Sequence, residues 1–221
     1  PDFMKKQDTG VKLNHLNLFN IDRLEENHNF ESGSSATLGF DYEVKKNDKN
    51  FKLSAGQVIN QRENNKKPSS SSLDEKLSDF VGNSTLSFNE NINLSYNFAL
   101  DQNYKDLNYN DLGASFSFNQ FKFNLNYLEE KEHIGNQEYV KTDIQIENNN
   151  SGLFTAETKR NLINNSAEYY NLSYEYHNDC LRAGVVYRRE FYNDSELEPE
   201  ESLLFKITLT PFGNINSPSF R

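Results

Sequence analysis

Residues 91–100, NINLSYNFAL, put Ile92, Leu94, Tyr96, Phe98 and Leu100 at every second position, with Asn93, Ser95, Asn97 and Ala99 between them. Successive side chains of a strand point to opposite faces, so a strand sorts this stretch cleanly, whereas a helix scatters it around its circumference. The same sorting recurs along the chain. Ala36, Leu38, Phe40, Tyr42 and Val44 form one face; Phe51, Leu53, Ala55 and Ile59 another. Leu112, Ala114, Phe116 and Phe118 follow, then Phe121, Phe123, Leu125 and Tyr127, then Val140, Ile144 and Ile146. The last three are Tyr170, Leu172, Tyr174 and Tyr176; Leu181, Ala183, Val185 and Tyr187; and Leu203, Phe205, Ile207 and Leu209. With weaker runs at 13–19, 80–88 and 153–160, the pattern predicts about a dozen strands and no competing helix.

The intervening positions are Asn, Ser, Lys, Glu, Thr and Gln. A mean hydropathy of -0.86 and a net charge of -10 fit disorder, but 17 Phe and 12 Tyr do not, since disordered chains lack aromatics. A membrane barrel resolves the conflict. Its apolar face meets lipid and its polar face meets a wet lumen, so a chain of low average hydropathy can still fold. A soluble sandwich also alternates, but here the loops offer almost no apolar cover. No run approaches the length of a membrane-spanning apolar helix. The acidic balance excludes a nucleic-acid partner, and a single cysteine excludes an internal disulfide framework.

Connection lengths give a second signal, alternating long and short: 20–35, 45–50, 62–79, 89–91, 101–110, 119–120, 128–138, 147–152, 160–166, 177–180 and 192–201. Short periplasmic turns and longer outer loops are the habit of outer-membrane barrels. The expected fold is therefore all-β: an antiparallel up-and-down transmembrane β-barrel segment. About a dozen strands could close a small barrel by themselves or form an arc of a larger one; the chain opens at Pro1 rather than Met and is read as part of a longer protein, which favours the arc. Residues 1–211 are assigned to the barrel and 212–221 to a periplasmic tail.

Two stretches carry a family resemblance. DCLRAGVVYRREFYNDSELEPEESLLFKITLTPFG, 179–213, joins a cysteine-bearing turn, a strand ending in Tyr and Arg, an acidic loop with proline, and a final strand. LFNIDRLEENHNFESGSSATLGFDYE, 18–43, sets Asp22, Arg23, Glu31, Gly33 and Gly39 in an Asp-Arg, Glu-x-Gly, Gly-aromatic order. On these residues the chain resembles the LptD (OstA/Imp) family of LPS-assembly proteins; between them it matches in strand rhythm only. The resemblance implies the C-terminal part of a roughly 26-stranded barrel in the outer membrane of a Gram-negative bacterium. It further implies lipopolysaccharide as cargo, outer-membrane lipid around the wall and a lipoprotein plug, LptE. Periplasmic bridge proteins would deliver LPS through an N-terminal domain outside this sequence, and LPS would leave sideways between the first and last strands.

The resemblance also assigns roles. Cys180, in a turn on the periplasmic side, becomes half of a disulfide whose partner lies near the N-terminus of the whole protein; the plain alternative is a free thiol. The family commonly has two adjacent cysteines, where this chain has Asp179 and Cys180. The strand 202–210 becomes one lip of the seam, with Leu203, Phe205, Ile207 and Leu209 toward lipid and Leu204, Lys206, Thr208 and Thr210 toward the lumen. Pro211, which cannot donate to a ladder, either weakens pairing there or simply ends the strand. Arg188 and Arg189 at the outer rim suit LPS phosphate or a local ion pair with the acidic loop. Glu196, Glu198, Glu200 and Glu201 suit divalent cations shared with LPS phosphates, or plain solvation.

No catalytic constellation emerges, and no cofactor is expected. His15, His28, His133 and His177 are scattered without metal-ligand spacing, and LEEKEH, 128–133, reads as a weak cation binder or a solvated loop tip. The reading is a non-enzymatic LPS translocon segment, with another outer-membrane porin or channel, or a soluble β-rich adhesin, as the alternatives.

Overall fold

The computed structural model describes residues 12–23, 33–64, 67–131, 136–148, 151–178, 180–191, 200–209 and 213–216. Among them are twelve strands: β1 (Ser35–Lys46), β2 (Lys49–Asn60), β3 (Phe80–Phe88), β4 (Ile92–Leu100), β5 (Leu107–Phe118), β6 (Phe121–Glu130), β7 (Gln137–Asn148), β8 (Gly152–Asn161), β9 (Ser166–His177), β10 (Leu181–Glu190), β11 (Glu200–Leu209) and β12 (Gly213–Asn216). They form one sheet in sequence order, an up-and-down meander whose first and last strands do not pair with each other. A single 3-10 turn, Ser69–Ser71, is the only helical element among the described residues.

Strand pairing follows the alternation. In β1 and β2, Phe40 stands opposite Ala55, Tyr42 opposite Leu53 and Val44 opposite Phe51, so like faces meet like. Phe154, Tyr174, Val185 and Phe205 make one cross-strand row on the same face of β8 to β11, and Ala156, Leu172, Tyr187 and Leu203 make the next. A one-residue slip would exchange the two faces entirely, so the pattern fixes the register. Much of this apolar face is exposed, Leu38 to 64% and Phe205 to 47%, although Ala55 is buried.

The strand bounds leave short connections at 47–48, 89–91, 119–120, 149–151, 178–180 and 210–212, and mostly longer ones between them at 61–79, 101–106, 131–136, 162–165 and 191–199. Asn47, Asn89 and Asn119 take the left-handed conformation in the tight turns (φ 52, 53 and 48). Asparagine tolerates that region better than other non-glycine residues and matches the turns that strand twist favours.

Two expectations need correcting. Residues 13–19 form a turn, not a strand. The Oδ1 of Asn14 accepts from the backbone N–H of Leu16 and of Asn17, and the Oδ1 of Asn17 accepts from the N–H of Asn14. These local bonds take donors that a ladder would need. Nor are the loops without apolar cover, because Leu13, Leu18 and Leu73 are buried outside the strands. In addition, Gly213–Asn216, placed by sequence in the tail, pairs as β12 with Lys206–Leu209 of β11.

The chain divides into two compact units. The first is Pro1–Asn89, Asn93–Leu112 and Leu128–Gln137; the second is Glu90–Ile92, Gly113–Tyr127 and Glu138–Arg221. Leu13, Leu18, Val58, Leu73, Val81 and Ala99, with Tyr109 against them, form a small packed core in the first unit.

Candidate functional site

The polar face of the sheet is built from rows of side chains on neighbouring strands. In the first unit Asn83 donates to Asn97 Oδ1 (2.5 Å), and Asn97 donates to Asp111 Oδ2 (3.0 Å). In the second, Asn124 donates to Asp143 Oδ1 (2.9 Å) and Thr155 shares a hydrogen bond with Ser173. Lys141 Nζ lies 2.6 Å from Glu157 Oε1, which also accepts from the Tyr169 hydroxyl at 2.8 Å. Arg182 pairs with Glu175 at 3.3 Å. Such a face holds water and polar groups well and offers little to an acyl chain.

In the first unit, the segment 12–23 lies over this face. Gly39 and Gly56 stand opposite each other in β1 and β2. A Cβ on Gly39 would come within 2.8 Å of the Phe19 ring, and one on Gly56 within 2.7 Å of Leu18 Cδ2. The missing side chains therefore make the room into which Leu18 and Phe19 pack. Arg23 closes the turn: Nε donates to the Leu18 carbonyl (2.9 Å) and a terminal nitrogen to Thr37 Oγ1 (2.5 Å), with the residue only 7% exposed. Of the five residues behind the resemblance, Arg23 and Gly39 thus have a common purpose, and Gly33 takes a φ of 113 that side chains disfavour. Asp22 adjoins Arg23 in sequence and also has an interaction partner; Glu31 lies outside the described residues.

The connection 61–79 covers the same unit, held by buried polar groups. Asn60 Nδ2 donates to the carbonyls of Leu73 and Glu75, and Ser78 Oγ accepts from the Val58 N–H while donating to the Asp79 carbonyl. A cavity of about 180 Å³ lies beside it, lined among others by Lys12, Asp74, Glu75, Asp79, Asp101 and Lys131. Burial pushes the Asp79 carboxyl above the usual range, against Asn108, which donates to its Oδ2 at 3.0 Å, and Lys12. Burial likewise raises Asp74, and raises Glu75 together with the charges of Asp74, Asp101 and Glu63. Sequence reading treated 62–79 as an ordinary long loop; the signal that marks it is Leu73 and Leu77, apolar residues stranded in a polar stretch. Burial lowers His15, in the 12–23 segment.

The residues singled out from sequence fall in three places. Cys180 is exposed in the tight turn between β9 and β10, where the Asn178 side chain accepts from its N–H and from that of Leu181. On β11, Leu203, Phe205, Ile207 and Leu209 stand exposed on the apolar face, while Lys206 and Thr208 alternate with them, opposite Gly184 and Arg182. Among the described residues β12 pairs with this strand from Lys206 to Leu209, so its strand ladder on that side spans less than half of the strand expected to be last. Third, Arg188 is held by Glu190 (2.5 Å) over the Tyr169 ring, and Arg189 by Glu201 (3.2 Å) beside Phe191. Glu200 stands opposite Glu190 in the ladder. Asp179, Glu196, Glu198, Thr210, Pro211, His28 and His133 lie outside the described residues. Among the described residues no three His, Cys, Asp or Glu side chains come together as a metal site.

No curated protein matches the chain. The family described as LptD, LPS transport system D, matches residues 7–174. That span takes in the Arg23–Gly39 packing and the meander through most of β9, and stops short of Cys180 and β11. Because the match covers most of the chain, it settles the relationship: the chain belongs to the LptD family, described as LPS transport system D.

Proposed function

We propose that this chain forms wall strands of the outer-membrane barrel through which a Gram-negative bacterium places LPS in its outer leaflet. The observation that carries this reading is the two-faced sheet. One side is an exposed band of Phe, Tyr, Leu and Ile, the other a set of hydrogen-bonded polar rows. Exposed apolar area on this scale is a liability in water and the normal condition of a wall facing lipid. Strands β1 to β11 run nine to twelve residues, which suits the roughly 9–11 tilted residues that cross a bilayer.

With the tight turns in the periplasm and the longer connections outside, Cys180 sits in an oxidising compartment. There it pairs with a cysteine elsewhere in the whole protein. LPS arrives over periplasmic bridge proteins, the lipoprotein LptE fills the lumen, and release is lateral, at the edge formed by β11 and β12. Sugars and phosphates pass on the side of Lys206 and Thr208 while acyl chains slip between strands. An edge laddered over less than half of β11 among the described residues suits this, because opening a fully paired ladder in a membrane leaves backbone groups without partners.

Two experiments test the proposal. Spin labels at Phe40→Cys and Asp41→Cys in the full-length membrane protein should divide, the first accessible to oxygen and the second to a water-soluble relaxant; a reversed pattern sinks the barrel reading. Cross-linking β11 to the first strand of the full barrel should stop LPS export while the barrel stays folded. Undiminished export through a locked seam would make β11 an ordinary wall strand.

A further inference from the structure

A groove in the second unit crosses the apolar face of β7, β8 and β9, next to the connection 162–165. It encloses about 440 Å³ and is lined among others by Val140, Thr142, Thr158, Arg160, Leu162 and Tyr170. Val140 stands opposite Arg160, Thr142 opposite Thr158, and Thr158 opposite Tyr170, so these residues belong to adjoining rows. An arginine on the apolar face is anomalous there. Charged residues facing lipid are costly at mid-membrane and tolerated only toward the rim. Arg160, one residue from the end of β8, is at the rim.

Three details indicate that the arginine is held for a purpose. The register between β8 and β9 shifts between Lys159 and Arg160, a bulge of the kind that re-aims a side chain. A terminal nitrogen of Arg160 donates to Asn165 Oδ1 at 2.6 Å, fixing the guanidinium over the groove, and among the described residues the guanidinium makes no other hydrogen bond. And Arg160 has no carboxylate partner among the described residues, unlike Arg182, Arg188 and Arg189, each held by a glutamate. An exposed guanidinium with two threonine hydroxyls nearby matches a phosphate, which takes a forked pair of N–H donors. Toward the middle of the strands the next row is Ile144, Ala156 and Leu172. Ala156 is small between two larger neighbours, a shallow trough leading away from the guanidinium.

We infer that this groove binds the lipid-anchored phosphate of an LPS molecule from the membrane side, with an acyl chain lying along the Ala156 trough. The inference rests on the proposed function for the choice of LPS over other phosphorylated lipids and for the orientation of the rim. It goes beyond that function in placing an LPS contact on the outer wall, away from both lumen and seam.

The test uses the full-length protein purified in detergent with whatever partner it retains, titrated with diphosphoryl lipid A, dephosphorylated lipid A, phosphatidylglycerol and inorganic phosphate. Arg160→Ala should weaken diphosphoryl lipid A about tenfold, the effect of losing one charge-assisted contact. Arg160→Lys should recover part of the loss, and the double change Thr142→Val, Thr158→Val should give a smaller one. Dephosphorylated lipid A should bind weakly and ignore Arg160, inorganic phosphate should not compete, and Lys45→Ala, on β1, should change nothing. Equal affinity in the wild type and Arg160→Ala, with gel mobility showing both folded, overturns the site; equal Arg160 dependence for phosphatidylglycerol overturns the LPS assignment. Because binding is read in detergent, it is independent of the protein's location: wild type found outside the outer membrane would end the proposed function whatever the lipid result.

Discussion

The two units use the same alternating code and finish their polar faces differently. In the first, segment 12–23 and the connection 61–79 lie across the face and close a dry cluster around Leu18, Val58 and Leu73. In the second, the polar side chains satisfy one another directly, through pairs such as Lys141–Glu157 and Asn124–Asp143. The first unit therefore depends on packing between segments distant in sequence, and the second on ladders and on partly exposed polar pairs. Packed apolar contacts lose more on truncation than solvent-screened ion pairs do, so equivalent changes in the two units should have unequal effects.

The sharpest contrast is between glycines. A Cβ on Gly56 would lie 2.6 Å from the Leu38 carbonyl oxygen and 2.9 Å from the Gly39 Cα, both backbone; on Gly184 the nearest atom would be 3.5 Å away. Gly56→Ala should abolish the folded, heat-modifiable form on gels, and Gly184→Ala should leave it intact. Equal tolerance would mean that the cover over β1 and β2 is not tightly packed.

Next comes Leu18→Ala, expected to cost about 2–4 kcal/mol through lost burial and the cavity left behind. The exposed Leu172→Ala should cost much less in water-based unfolding titrations. Because the chain has no tryptophan, gel mobility is the practical readout. A smaller loss at Leu18 than at Leu172 would break the comparison.

Asp79 gives a pH test confined to the first unit. Its carboxyl is raised in the folded chain by burial. Its favourable contribution is therefore complete below the unfolded pKa and is lost as pH rises through the raised folded value. Asp79→Asn keeps an acceptor for Asn108 and removes the buried charge, so stability near neutrality should rise and the acid-to-neutral slope should flatten. An unchanged slope would locate the pH dependence elsewhere.

The smallest effect is expected at Lys141–Glu157, where the side chains are 42% and 26% exposed. A double-mutant cycle should return about 0.5 kcal/mol or less, diminishing with salt. A coupling as large as the Leu18 loss would show that the second unit, too, relies on a desolvated interior.

Much of this was legible before any coordinates. The run 92–100 is β4, 80–88 is β3, and the faces of β1 and β9 to β11 fall as the alternation requires. Where reading failed, at 13–19, two asparagine side chains captured backbone donors within the segment, and a hydrophobicity pattern does not register that competition. The resemblance motif was legible only as spacing. That Arg23 holds the Leu18 carbonyl, and that Gly39 gives room to Phe19, depends on bringing β1 beneath a turn about twenty residues earlier in the chain.

The sequence by itself determined the partition of the sheet into an apolar and a polar face. It also determined the strand order and the tight turns, because side-chain alternation and asparagine's tolerance of the left-handed region are properties of the local backbone. The tertiary structure alone decided which off-pattern residues are buried, why Asp79 is hard to ionise, and that Arg160 overlooks a groove while Arg188 and Arg189 are neutralised. These depend on which segments meet, and packing, desolvation and charge pairing are set by neighbours in space that no period along the chain encodes.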